Sequence, residues 1–295
     1  MTAAGFFDIL KRAANGWVDH HAQSMGAALS YYTVFSIAPV LLIAISIAGL
    51  VFGQAATQHA VIEQLRQLLG PSGADVVVQV LKNVSKPAQG VTAMLIGVIV
   101  LIVGATSVFA ELQGDLDRIW DAPVHANAPG WRTWLRTRLL SMSLVLAVGF
   151  LLLVSLTASA AFDAFAAWSS TLAGAKEALA HAVNFVVGTV LTAVMFGLIY
   201  RYMPRVRVQW RDVVIGSMVT ALLFALGKFA IGLYIGRTAV ASTFGAAGSL
   251  AALLAWVYYS AQIFLFGAEF TWAYAHALGS RVDANRRAPV FPAGA

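Results

Sequence analysis

The chain has 295 residues, of which 60% are hydrophobic and only 11% are charged, and its formal net charge is +6. This composition excludes an ordinary soluble domain, in which about a quarter of the residues are charged. The absence of cysteine excludes disulfide bonds and thiolate metal sites.

Residues 1–28 precede the first long apolar run and carry a weak amphipathic pattern. Four apolar residues recur at helical spacing, with polar residues on the opposite side: Phe6, Leu10, Ala13 and Trp17. The pattern predicts a helix in the cytoplasmic membrane interface. The alternative is a helix packed against the rest of the protein, and the two interpretations are compatible.

Six apolar segments follow, and each is about the length that crosses a bilayer. A hydrocarbon core of ~30 Å needs roughly 20 apolar residues in a helix. The sequence therefore predicts an all-α, polytopic membrane protein with six transmembrane helices over residues 29–275. The segments are residues 29–52, 91–110, 139–162, 182–200, 213–227 with a continuation to 235, and 247–268.

The 19 Lys and Arg residues are distributed unevenly between the connections. Residues before the first segment, the second and fourth connections and residues 276–295 hold 13 of them, the alternate connections hold 5, and Lys228 lies inside the fifth segment. Because cytoplasmic loops are enriched in Lys and Arg, both termini are predicted to be cytoplasmic. The positive charge is then a topology signal, and it gives no reason to expect nucleic acid as a partner.

Residues 53–90 form the longest connection and are predicted to be external. Two apolar stripes at helical spacing predict two short amphipathic helices, separated by a break at Gly70-Pro71-Ser72-Gly73. The stripes are Val61, Leu65 and Leu68, and then Val77, Leu81 and Val84.

Polar and ionisable residues inside apolar segments are the candidate site. Pro39 removes a backbone donor and predicts a kink in the first segment, which either lines a cavity or only shapes a packed bundle. Lys228 either snorkels to the interface or contacts an anionic ligand in a polar cavity. Helical spacing places Tyr259, Gln262 and Glu269 on one stripe. The predicted cavity or ligand residues are Tyr32, Ser36, Pro39, Lys228, Tyr259, Gln262 and Glu269.

Glu269 is predicted near the cytoplasmic end of the last segment. Arg201 and Arg205 are its expected partners, and Glu111 and Asp115 would compete for them. A structural ion-pair network is the alternative to a functional role for Glu269.

Aromatic residues and arginines alternate directly before the third segment. This pattern predicts an interfacial belt that contacts anionic headgroups, so membrane lipids are expected partners. The belt consists of Trp131, Arg132, Trp134, Arg136 and Arg138. Small residues at Gly232-x-x-x-Gly236 serve either packing within the chain or a homo-oligomer.

Motifs of phosphate loops, serine hydrolases and zinc proteases are missing from the sequence. We therefore expect no enzyme, no catalytic residue, no cofactor and no metal. A membrane ribonuclease is disfavoured, because the cytoplasmic loops are too short to build a metal-binding cleft.

Several stretches match one family. They are residues 28–40 (ALSYYTVFSIAPV), Leu112-Gln113 to Ile119-Trp120, Tyr202-Met203-Pro204 with Trp210-Arg211, and residues 244–271 (FGAAGSLAALLAWVYYSAQIFLFGAEFT). They resemble the YihY/BrkB family of bacterial inner-membrane proteins, whose members also tend to carry lysine at the position of Lys228. Two departures are Asp117, where many members have asparagine, and Trp272, which is often arginine.

The resemblance implies six spans in the bacterial inner membrane. The resemblance favours a transporter or lipid-handling role, and an earlier ribonuclease label of the family is regarded as a misassignment. The kinked polar first segment, the polar stripe of the sixth, Lys228 and the external amphipathic helices predict a transporter or flippase-like handler of a lipid or amphiphile. A non-catalytic scaffold for envelope machinery is the alternative function.

Overall fold

The computed structural model describes residues 3–84, 107–123, 175–237 and 245–282. All regular structure in these ranges is α-helical, which confirms the predicted fold class for this part of the chain. The helices are α1 (Ala3–Asp19), α2 (Ala22–Phe52), α3 (Gln54–Val84), α4 (residues 107–119), α5 (Ala175–Tyr202), α6 (Trp210–Arg237) and α7 (Gly245–Ala277).

Three of these helices are long and apolar enough to cross a membrane. The apolar stretches are Phe185–Tyr202 in α5, Trp210–Lys228 in α6 and Leu253–Ala277 in α7. They correspond to the fourth, fifth and sixth predicted segments. The first predicted segment lies inside α2, whereas the third and most of the second lie outside the described residues. The total of six spans stays a prediction.

Helix α7 is central, because α1, α2, α3 and α6 all pack against it. Glycines bring α6 and α7 together in antiparallel orientation: Gly227 faces Tyr259, and Gly216 faces Thr271. A Cβ atom at Gly216 would overlap the Thr271 side chain. Close backbone approach of this kind is how helices associate in lipid, where no hydrophobic force drives them together.

Helix α3 is one continuous helix, so the predicted break at Gly70-Pro71-Ser72-Gly73 is wrong. Residues on both sides of the expected break, Leu65 before it and Ala74 and Val77 after it, belong to one buried apolar cluster. Packing of this cluster against α2 and α7 outweighs the local preference for a break. The turn from α2 into α3 occurs at Gly53, whose φ of 86° favours glycine.

Helix α1 packs against the rest of the bundle, which was the second of the two alternatives predicted for residues 1–28. Ile9 and Ala13 are buried, and the Phe6 ring lies 5.9 Å from the Phe270 ring of α7. Phe7 is 66% exposed, so α1 also presents apolar surface to its surroundings.

Four connections meet at one end of the bundle: the α1–α2 turn, the end of α4, the α5–α6 turn and the residues after α7. The contacts that show this are His20 with Glu269, Asp117 with Arg205, Asp212 with Ser280, and Trp120 with Arg281. We call this region the polar end, after its buried residues Gln113, Asp115, Asp212, Thr220, Glu269 and Thr271. The side of the membrane that it faces stays a prediction.

The opposite part of the bundle is built from α2, α3 and the first half of α7. Its buried cluster is apolar, and we call this region the apolar end. The cluster consists of Ile45, Leu65, Ala74, Val77, Leu81, Leu253 and Val257.

Candidate functional site

A buried acid–base pair joins α7 to the α1–α2 turn. The Glu269 side chain is fully buried, and its Oε1 lies 2.6 Å from Nδ1 of His20. At this distance a protonated Nδ1 donates a short hydrogen bond to the carboxylate. The His20 side chain is 25% exposed, so the pair connects the surface of the polar end to the interior.

The local backbone places His20 over Glu269. Helix α1 ends at Asp19 and α2 begins at Ala22, so only two residues make the turn. His21 adopts the left-handed conformation (φ 56°, ψ 43°), which is uncommon for a residue other than glycine. Gly16, one turn before His20, leaves room for the carboxylate, because a Cβ atom there would crowd Oε2 of Glu269.

The second carboxylate oxygen of Glu269 is incompletely satisfied. Oε2 is buried and has no hydrogen-bond partner among the described residues. Leaving such an atom unpaired costs about 1–3 kcal/mol or more. Two further carboxylates, Asp19 and Asp121, act electrostatically on this group. The geometry is therefore that of a group able to accept a proton or a ligand atom.

The predicted pairing of Glu269 with Arg201 or Arg205 is wrong, because the α1–α2 turn brings His20 to Glu269 instead. Arg205 binds Asp117: its backbone N–H donates to Oδ1 at 2.7 Å, and its Nε lies 3.4 Å from Oδ2. The Arg201 guanidinium lies over the Trp210 ring, 5.9 Å from its centroid.

Asp115 is a second buried carboxylate without a complete set of partners. It is 4% exposed, and its Oδ2 has no partner within the described ranges. Burial and, secondarily, the charge of Glu111 raise the pKa of Asp115 to about 7, while Arg118 acts in the opposite direction. Neither Glu111 nor Asp115 forms a salt bridge with a described residue, so the predicted competition for Arg201 and Arg205 is not seen.

The polar stripe of α7 faces two different neighbours. The Gln262 Nε2 donates to the Ala22 carbonyl at 3.3 Å, and its Oε1 is buried without a partner among the described residues. Gln262 and Glu269 thus both face the region where α1 meets α2. Tyr259 lies instead against Gly227 of α6.

The polar residues predicted in the first segment are divided between interior and surface. The Ser36 hydroxyl is buried and donates to the Tyr32 carbonyl at 2.6 Å, within its own helix. The Tyr32 side chain is exposed, and α2 stays helical through Pro39. That these residues line one cavity together with Glu269 stays a prediction.

Lys228 is exposed on the outer surface of α6. Its Nζ lies 5.7 Å from the centroid of the Phe224 ring, one turn earlier on the same helix. This orientation agrees with snorkelling along the helix surface. The predicted headgroup belt, Trp131, Arg132, Trp134, Arg136 and Arg138, lies outside the described residues.

Sequence reasoning missed three polar side chains that connect the polar end. Gln113 of α4 donates from Nε2 to the Met203 carbonyl at 3.0 Å, and Asp117, one turn later, binds Arg205. Their spacing of four residues on a helix was an available signal. The third is Asp212, which is fully buried in the first turn of α6, where the helix dipole favours an acid, and which accepts hydrogen bonds from the backbone and hydroxyl of Ser280.

Long apolar helices, one of which carries the buried carboxylate of Glu269, define an α-helical membrane protein. The sequence model of the family described as Virulence factor BrkB matches residues 13–290, and the chain belongs to this family. Two of the stretches that carried the resemblance, at residues 112–120 and 202–211, contact each other through Gln113 and Asp117.

Curated relatives carry the name UPF0761 membrane protein. The relative from Alcanivorax borkumensis is 28% identical over 91% of this chain and 60% of its own length. The relative from Tolumonas auensis is 31% identical over 64% of this chain and 58% of its own length. The relative from Pseudomonas aeruginosa is 26% identical over 86% of this chain and 60% of its own length. The chain thus spans about 60% of the length of these relatives. No solved structure matches it.

Proposed function

We propose that this protein is a transporter or flippase-like handler of a lipid or another amphiphile in the bacterial inner membrane. The observation that carries the proposal is Glu269, a fully buried and incompletely paired carboxylate in a helix long enough to span the membrane. Ionisable groups are costly at membrane depth and mark pathways for ions or substrates.

A second buried oxygen supports the same interpretation. Oε1 of Gln262 lies two turns before Glu269 on the same stripe of α7 and also lacks a described partner. A polar interface that is only partly satisfied stabilises a helix bundle less than an apolar one does. Two such groups facing the same neighbours therefore favour a polar route over a purely structural contact.

The proposed architecture is multi-pass, with six spans and cytoplasmic termini. Membrane lipids are the proposed partners, with a homo-oligomer as an alternative assembly, and we infer no enzymatic activity and no cofactor.

Reporter fusions test this architecture. Fusions after residues 70 and 175 should report the periplasm, and fusions after residues 125 and 290 the cytoplasm. The opposite pattern or an odd number of spans would contradict it.

Lipid movement can be measured with the purified full chain in liposomes of phosphatidylethanolamine and phosphatidylglycerol. A trace of fluorescent phospholipid reports the leaflet, because dithionite bleaches only the label that it can reach in the outer leaflet. We expect the wild-type protein to make the inner-leaflet label accessible as well. Glu269→Gln should abolish this effect while thermal stability in detergent stays normal, and Asp117→Asn should keep both.

Two outcomes of this experiment contradict the proposal. If wild-type and protein-free liposomes lose the same fraction of fluorescence, the protein does not move lipid, and the scaffold function is favoured. If Glu269→Gln moves lipid normally but unfolds at a lower temperature, Glu269 is a structural ion-pair residue.

A further inference from the structure

We propose that His20 and Glu269 form a proton-binding site, in which His20 takes the proton from water and Glu269 holds it inside the bundle. The inference rests on the proposed function only for the role of this site, which is to couple proton entry to transport. The binding of the proton itself is independent of any substrate.

The difference in exposure between the two side chains supports this division of roles. The His20 side chain is 25% exposed, whereas that of Glu269 is fully buried and is reached through the contact of 2.6 Å between Nδ1 and Oε1. A proton from water therefore meets the imidazole first. Imidazole is suited to this step because each of its two nitrogens either carries or accepts a proton near neutral pH.

The transfer balances without any further reactant. Nε2 of a neutral His20 ring accepts a proton from water, and the Nδ1–H bond breaks as an O–H bond forms at Oε1 of Glu269. The ring is again neutral, now with its proton on Nε2, and the carboxylate has become a carboxylic acid. The net charge of the pair changes from −1 to 0.

The surroundings of the site favour an uptake of positive charge. The groups whose charges act on Glu269 in the described part of the chain are His20 and Asp19 from the α1 side and Asp121 from the end of α4. Two of these three are acidic, and the third is the proposed proton donor. The unpartnered Oε2 shows in addition that the carboxylate is not saturated by fixed donors in the described structure.

Proton uptake also changes the contact that holds the α1–α2 turn. A hydrogen bond to an ionised carboxylate is roughly twice as strong as one between neutral groups. Neutralising Glu269 therefore weakens the attachment of His20, next to the left-handed His21 where the chain passes from α1 to α2. Through this turn, protonation of the site would change how α1 and α2 pack against the rest of the bundle.

Infrared difference spectroscopy of the full chain in nanodiscs tests the inference directly. A protonated carboxylic acid has its own C=O stretching band. Asp115, whose pKa is raised, would give a band of its own, so the measurement is made in an Asp115→Asn background. We expect this protein to show a band that titrates with pH and that is absent once Glu269→Gln is added. Asp212→Asn removes another fully buried carboxylate, which is bound by Ser280, and should keep the band. His20→Gln should change the midpoint pH at which the Glu269 band titrates by about one pH unit or more, which is a tenfold change in proton affinity.

The outcomes separate this inference from the proposed function. A band that titrates in the Asp115→Asn protein but persists once Glu269→Gln is added, or the absence of such a band, overturns the proton site even if lipid movement is observed. A titrating band that depends on Glu269, in a protein that moves no lipid, keeps the proton site and removes the transport function. If Glu269→Gln does not fold, Glu269→Asp replaces it, and the band should then change frequency.

Discussion

The polar end and the apolar end are built on the same helix, α7, but are held together by different forces. At the polar end, the Tyr200 hydroxyl donates to the Phe264 carbonyl at 2.7 Å, and glycines allow close backbone contact. At the apolar end, the buried residues are aliphatic, and the neighbouring Thr57 hydroxyl donates to the carbonyl of Gly53, just before the start of its own helix.

This difference has a consequence for movement. Apolar packing is non-directional, so the contacts of the apolar end are exchangeable. Hydrogen bonds and close glycine contacts fix one register, since a shifted helix would lose them. We therefore expect the contacts between α5, α6 and α7 at the polar end to be the fixed part of the bundle, whereas the α1–α2 turn and the apolar end rearrange.

The largest predicted effect comes from filling a close contact at the polar end. Gly216→Ala places a Cβ atom inside the Thr271 side chain, and we expect a loss of about 3 kcal/mol or complete misfolding. The control is Gly188→Ala in α5, where a Cβ atom would meet nothing within 4 Å. The control should gain up to ~1 kcal/mol from helix propensity. Thermal unfolding in detergent measures both, and equal stabilities would contradict the close contact.

The second prediction uses the buried Asp115, whose pKa is raised from 3.8 to about 7. Because the folded state then binds more protons than the unfolded state, stability should fall as pH rises from about 4 to about 7 and be constant above that. The integrated loss is a few kcal/mol. Asp115→Asn should flatten this dependence, whereas the exposed Asp8→Asn should not. A stability that rises over this interval in the wild type would contradict the prediction.

The sequence was sufficient to predict the three described helices that are long and apolar enough to cross a membrane. The apolar segments that became α5, α6 and α7 depend only on length and composition, which any bilayer imposes in the same way. The stripe of Tyr259, Gln262 and Glu269 followed from helical periodicity alone.

The partners of these residues were not predictable, because they depend on turns. His20 reaches Glu269 only because His21 is left-handed and Gly16 leaves space, and neither fact is visible in a pattern of hydrophobicity. The continuous helix α3 was missed for a related reason. Local signals at Pro71 indicate a break, and contacts with distant parts of the chain remove it.

The third prediction tests the apolar end. Leu253 is 2% exposed and packs in the same cluster as Val77 and Leu81 of α3. Leu253→Ala should cost about 2 kcal/mol, the low end of the usual range, because non-directional apolar contacts can repack around the smaller side chain. Leu253→Met should cost about 1 kcal/mol or less. Thermal unfolding gives these values, and a larger loss than that of Gly216→Ala would reverse the comparison between the two ends.

The smallest effect is expected at the ion pair of the polar end. The Arg205 side chain is 56% exposed, so its charge on Asp117 contributes at most about 0.5 kcal/mol. The hydrogen bond from the backbone N–H of Arg205 to Oδ1 of Asp117 contributes more to stability, about 1 kcal/mol. Asp117→Asn keeps an acceptor oxygen and should change stability by less than ~0.5 kcal/mol, whereas Asp117→Ala should lose ~1 kcal/mol.

Arg205→Gln is the matched control, because it removes the charge and keeps the backbone donor. Its unfolding temperature, like that of Asp117→Asn, should stay close to the wild-type value at low and at high salt. If Asp117→Asn is as unstable as Asp117→Ala, the charge itself holds the α5–α6 turn. If the predicted order is found, the polar end is fixed here by a hydrogen bond to the backbone. An asparagine at this position would then accept the same backbone hydrogen bond as Asp117 does.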